Sequence, residues 1–145
     1  MKTKKKITCS ILFTLLVLTG ARSSAYSDSR QLVELPEMMQ QHMMSNMRDH
    51  LQTINLILIH LGKGEMDMAA ELVEQNLGMS SMNSHGASRL AKFMPEGMRA
   101  AGTSMHKKAS RFALVAQEGD LLAAYKMLSE ITSACVSCHA DYRIH

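Results

Sequence analysis

Cys135-Val-Ser-Cys138-His139 decides how this chain is read, and it stands close to the C-terminal end of the sequence. Cys-x-x-Cys-His is the attachment signature of a c-type haem. Each part has a chemical reason. Two thiols three positions apart lie on one face of a helix, so both reach the vinyl groups of one porphyrin as thioethers. The adjacent His139 then offers an imidazole nitrogen to the iron. Two other readings fit less well. A thiol–disulfide motif expects a βαβ context, and the sequence has no β-rich alternation. Half of a zinc site expects a second pair of ligands at finger spacing, which is missing. The expected cofactor is one covalent haem c on Cys135 and Cys138, with His139 as an axial iron ligand.

Working outward from the motif, helix signals dominate. Gly119-Asp120 is a stop followed by a new cap, and helix four is expected from about Leu121 to Tyr142. Its stripe reads Leu121, Tyr125, Leu128, Thr132, Cys135 and His139. Helix three runs from about Pro95 to Glu118, with Met98, Ala101, Met105, Ala109, Phe112 and Ala116 on its inner face. Helix one runs from about Pro36 to Leu61. Met47, Leu51, Ile54, Leu58 and Leu61 repeat there at a/d spacing, and Gly62-Lys63-Gly64 ends the pattern. Helix two is shorter, about Asp67 to Leu77, with Asp67 as N-cap and Gly78 as stop. Residues 79–94 read as a loop or a broken helix, and 26–35 as a loose lead-in. Four helices with short connections predict an all-α fold, an antiparallel four-helix bundle running up-down-up-down. With no Trp and only 3 Phe, the core falls to Leu, Ile, Ala and Met.

Residues 1–25 read as a cleaved secretory signal peptide, leaving one domain over 26–145. Lys2, Lys4, Lys5 and Lys6 form a positive start, Ile7 to Leu18 an apolar core, and Ser23-Ser24-Ala25 a small-residue cleavage site. The apolar run is too short for a membrane span, so the mature chain is not expected to cross a membrane. Cleavage removes Cys9, and with it five of the 16 basic side chains and none of the 13 acidic ones, turning a net charge of +3 into −2. A basic nucleic-acid face is therefore not supported. Periplasmic export suits covalent haem attachment, which in bacteria takes place outside the cytoplasm.

The terminal Cys135/Cys138/His139 motif, the helix count and the Lys63-Gly64-Glu65 connection together resemble the cytochrome c-prime class. The resemblance covers most of the mature chain. It implies a four-helix bundle with a five- or six-coordinate haem and His139 as proximal ligand. In that class, electron-transfer members take a sixth ligand from helix one, and gas-binding members place an apolar residue there. Counting back from Lys63-Gly64 puts Met47 close to that position, with Met43, Met44 and His50 as alternatives. The class often has an arginine early in helix one that pairs with a haem propionate. Here Gln40, Gln41 and His42 occupy that region, so Arg48, Arg99 and Lys107 stand as alternatives. Antiparallel dimers through the first two helices are also common in the class, and Leu56 and Ile57 are candidates for a homodimer face.

One feature is not required by the resemblance. Of 14 methionines, several fall in two segments of one spacing: Met44-Ser-Asn-Met47-Arg-Asp-His50 and Met79-Ser-Ser-Met82-Asn-Ser-His85. Thioether and imidazole ligands suit Cu(I), although Met also commonly fills helical cores. If copper binds, Met79, Met82 and His85 are the better candidates, since Met47 is the haem-ligand candidate. His42, His60, His106 and His145 read as solvated or helix-surface residues.

The leading expectation is an exported one-electron carrier, not an enzyme, that docks on redox proteins of the cell envelope. Its negative charge would favour basic partner patches. The alternatives are a five-coordinate haem protein that binds NO or CO, with Leu51 and Ile54 lining the distal side, and an envelope copper-binding protein. Hydrolase and transferase chemistry finds no support, since the sequence offers no Gly-rich phosphate loop.

Overall fold

The computed structural model describes residues 27–145; the expected signal peptide lies outside them. Four long helices form the fold: α1 (Glu37–Gly62), α2 (Met66–Asn76), α4 (Glu96–Gln117) and α5 (Leu121–Asp141). A single-turn helix α3 (Ala87–Leu90), preceded by a 3₁₀ turn over Met79–Met82, bridges α2 and α4. Two strands of two residues, β1 (Gln31–Leu32) and β2 (Tyr142–Arg143), pair in parallel. The all-α bundle is as expected, with these short additions.

The helices begin and end for local reasons. Pro36 and Pro95 stand just before the first residues of α1 and α4, where a missing N–H costs nothing. Asp120 caps α5 through its side chain, with Oδ1 accepting from Ala123 N at 3.0 Å. Gly64 and Gly119 turn the chain at φ +74° and +81°, a region open to glycine at little cost. Asp67 is not the N-cap of α2; that position is Glu65, and Asp67 lies within the first turn. There its carboxylate faces the positive end of the helix dipole.

Two apolar clusters show how the helices run. The main core holds the C-terminal half of α1 (Ile57, Leu61), α2 (Val73), the C-terminal half of α4 (Ala109, Phe112, Ala116) and the first half of α5 (Ala124, Leu128, Ile131). The second joins Met43 of α1, Met98 of α4, Leu90 and Val33, with Cys138 and Tyr142 against it. So α1 and α4 run one way and α2 and α5 the other, up-down-up-down. Phe112 is fully buried and is the largest side chain at the centre. Its burial contributes roughly 1.5–3 kcal/mol.

Two helix faces differ from the sequence expectation. The buried residues of α1 are Met43, Asn46, Thr53, Ile57 and Leu61. Leu51 is 72 % exposed and Leu58 45 %, so the a/d stripe lies beside the true inner face. Ile57, offered as a dimer contact, is fully buried. On α5, Leu121 and Tyr125 are exposed, and Ala124, Met127, Leu128 and Ile131 are buried instead. On α4, Met98, Met105, Ala109, Phe112 and Ala116 are buried as expected, Ala101 is only half-buried, and His106 and Ala113 join the face.

Candidate functional site: a methionine- and histidine-lined cavity

Between the N-terminal half of α1, the 82–94 segment, α4 and the end of α5 lies a cavity of about 690 Å3. That is within the ~300–1,000 Å3 of small-molecule and cofactor sites. Cys138 and His139 line it. Cys135 does not: it packs against the main core, while Cys138 packs against the second cluster. The motif thus straddles the boundary between the two. Both cysteines are free thiols and half-buried. Burial pushes both thiols up, and the neighbouring Cys135 and Asp141 push Cys138 further. A thiol–disulfide catalyst needs the opposite shift.

Met47 and its three alternatives, Met43, Met44 and His50, all line the cavity. All four are on the same half of α1. Met43 is buried in the second cluster, whereas Met44, Met47 and His50 are half-buried. His50 Nε2 is buried with no hydrogen-bond partner. Burial, then the neighbouring His85, His106 and His139, push its pKa down to about 4, so the ring is neutral at pH 7.

The two Met-x-x-Met-x-x-His segments meet here. Met44, Met47 and His50 of the first share the cavity with Met82 and His85 of the second. Met79 stays outside: it is 41 % exposed, and its backbone N–H donates to Ser110 Oγ. His85 is fixed by its backbone as well as its ring. Its carbonyl accepts from His42 Nε2 at 3.0 Å and from Asn46 Nδ2 at 3.1 Å, which ties the 79–94 segment to α1. Gly86 follows with φ +65°, and an added Cβ would stand 3.0 Å from His42 Nε2.

His106 was expected at the surface and is 7 % exposed. It lines the cavity, and its Nδ1–H donates to Leu77 O at 2.7 Å. Its sequence signal was weak but real, since it directly follows Met105 on the expected inner face of α4. His60, by contrast, pairs with Glu65 at 2.6 Å in the turn after α1.

Three arginines line the cavity: Arg30, Arg99 and Arg143. Arg143 Nε is buried without a hydrogen-bond partner, 3.6 Å from the Asp28 carboxylate. Of the three sequence candidates for pairing with an anionic group, Arg99 is at the cavity, while Arg48 and Lys107 are not. Arg30 and Arg143 were missed because the segments before α1 and after α5 carry no helical period. Among the described residues no Asp or Glu lines the cavity. A second depression of about 790 Å3 lies open along α4, beside Lys107 and Arg111, and holds none of the motif residues.

The cavity fits the group that the motif implies in part. Its volume and methionine lining suit a large apolar group, and Arg99 and Arg143 offer positive charge at the wall, whereas Arg30 is already paired with Asp28 at 2.6 Å and Cys135 lies outside the lining. The free thiol of Cys138 and the imidazole of His139 are at its wall. Comparison with protein families, with curated proteins and with solved structures finds no match for this chain.

Proposed function

We propose that this chain is an exported c-type cytochrome, carrying one electron at a time between redox proteins of the cell envelope. The observation that carries the reading is Cys135-Val-Ser-Cys138-His139 on α5, with Cys138 and His139 on the wall of the cavity. Bound there, the haem would supply reversible Fe(III)/Fe(II) cycling.

The protein's own residues have definite parts. Cys135 and Cys138 would hold the porphyrin through thioethers, and His139 would offer its imidazole to the iron. Arg99 and Arg143 would pair with the propionates; the Nε of Arg143 is a buried donor with no hydrogen-bond partner. Met43 and Met98 exclude water from one wall. Met47 is the sixth-ligand candidate, and a thioether there raises the potential. Among the described residues no helix is long and apolar enough to cross a membrane.

The test is an absorption spectrum of the protein made with haem-attachment machinery, oxidised and reduced, with and without CO. Sharp low-spin bands that CO leaves unchanged are expected, with Met47→Ala converting them to a CO-sensitive form. A broad high-spin band shifted by CO in the unmutated protein would replace electron transfer with NO or CO binding. Failure to retain haem through denaturation would overturn both.

A further inference from the structure

We propose that His50, His85 and His106 form a copper site in the same cavity, separate from the haem ligand His139. The copper candidates read from the sequence were Met79, Met82 and His85. The structure replaces that set, because Met79 lies outside the cavity and two further imidazoles stand beside His85.

The ring centroids are 4.8 Å apart for His50 and His85, 5.4 Å for His85 and His106, and 6.0 Å for His50 and His106. Three imidazoles bound tetrahedrally to one ion, with metal–nitrogen bonds of about 2.0 Å, place their centroids about 5 Å apart. Two of the three pairs already meet that figure. As the side chains stand, among the described residues no three His, Cys, Asp or Glu converge closely enough to hold an ion. His50, in the widest pair, has a buried Nε2 with no hydrogen-bond partner, and the site would form on a turn of its ring.

Tautomers supply a second, independent observation. Ser81, fully buried, donates its only hydroxyl proton to Gly78 O at 2.7 Å. Its oxygen can then only accept. It lies 3.3 Å from His85 Nδ1 and 3.5 Å from His106 Nδ1. His106 Nδ1 also faces Leu77 O at 2.7 Å, and a carbonyl accepts only. In their neutral forms both rings therefore carry the proton on Nδ1 and a lone pair on Nε2. A hydrogen bond that fixes the far nitrogen and leaves the near one free is the usual support of a metal-binding imidazole. His50 adds a buried Nε2 with no partner.

The surroundings choose the ion. No carboxylate stands among the described lining residues, so a dication would lack an anionic ligand. Cu(I) carries half that charge. Met82 stands three residues before His85 and lines the cavity, and a soft thioether favours Cu(I) over zinc.

The test is dialysis of the full protein against Cu(I) buffered with bicinchoninate under reducing conditions, with retained copper measured by atomic emission. One copper per chain is expected. His85→Ala and His106→Ala are each expected to weaken binding by at least about 100-fold. Ser81→Ala should cost about 10–100-fold, as for a hydrogen-bond partner of a ligand, and Met79→Leu should change nothing. No retained copper would overturn the site, as would unchanged affinity in folded His85→Ala and His106→Ala, or displacement of the copper by equimolar Zn(II). If the histidine variants do not fold, pulsed EPR of the unmutated Cu(II) form decides; absence of remote imidazole nitrogens overturns the assignment. Haem content is read separately from the absorption spectrum, so failure of the haem reading and failure of the copper site are distinct results.

Discussion

Gly86→Ala probes the joint that holds the cavity together. Two costs add at this position. At φ +65° an alanine meets left-handed strain of about 1–2 kcal/mol. Its Cβ would also stand 3.0 Å from His42 Nε2, closer than ordinary contact allows. The His42 ring must give by a few tenths of an ångström, which weakens its hydrogen bond to His85 O at 3.0 Å. Asn46 still serves that carbonyl, so this second loss is only about 1 kcal/mol. The expected total is about 2–3 kcal/mol. Gly64→Ala is the internal control: its φ is +74° and nothing lies within 4 Å of the added Cβ. It should cost the strain alone. Urea unfolding of all variants in one ligation state gives the differences, and a cycle with His42→Ala isolates the contact. On the His42→Ala background, the cost of Gly86→Ala should fall by about 1 kcal/mol. If Gly86→Ala costs no more than Gly64→Ala, or if His42→Ala leaves its cost unchanged, the close approach does not hold the segment.

Phe112→Ala, at the fully buried centre of the main core, should cost about 3–5 kcal/mol in the same assay. Asp120→Ala removes the cap on Ala123 N and should cost about 1 kcal/mol, with fraying at the start of α5 visible by amide exchange. In metal-free protein, His50 binds fewer protons folded than unfolded between its lowered pKa of about 4 and the ordinary 6.5. Stability should therefore fall as pH drops through that window, by up to about 3 kcal/mol. His50→Gln should flatten that part of the pH profile; an unchanged profile would refute the buried neutral ring.

The four long helices were legible because glycine stops, proline starts and the Asp120 cap are local signals, and local signals survive folding. The inner face of α1 was not. Periodicity finds an apolar stripe, and here the buried face carries Asn46 and Thr53, with His50 on the cavity wall, while Leu51 and Leu58 face outward. A helix that turns polar groups toward a cavity defeats that method. The motif cysteines and the pairing of the two Met-x-x-Met-x-x-His segments were readable as spacings. Their meeting in one cavity depends on the hydrogen bonds from His42 and Asn46 to a single backbone carbonyl, which leave no trace in composition. Ser81 was lost for the same reason. It reads as a turn residue, and its part in fixing two imidazoles exists only in three dimensions.

The β1–β2 pairing has a bearing on how one wall of the cavity is held. It is a clasp two residues wide, fastened by Val33 N to Arg143 O at 2.8 Å and by Gln40 Nε2 to Ile144 O at 2.7 Å. It joins segments about 110 residues apart, the kind of contact that forms late in folding. None of its residues belongs to the main core. Unfastening it would break these hydrogen bonds, draw Val33, Tyr142 and Ile144 out of the second apolar cluster and part Arg143 from Asp28, while leaving Phe112 and its neighbours in the main core untouched. The wall at Tyr142, Arg143 and Ile144 is thus held by long-range contacts that the main core does not share.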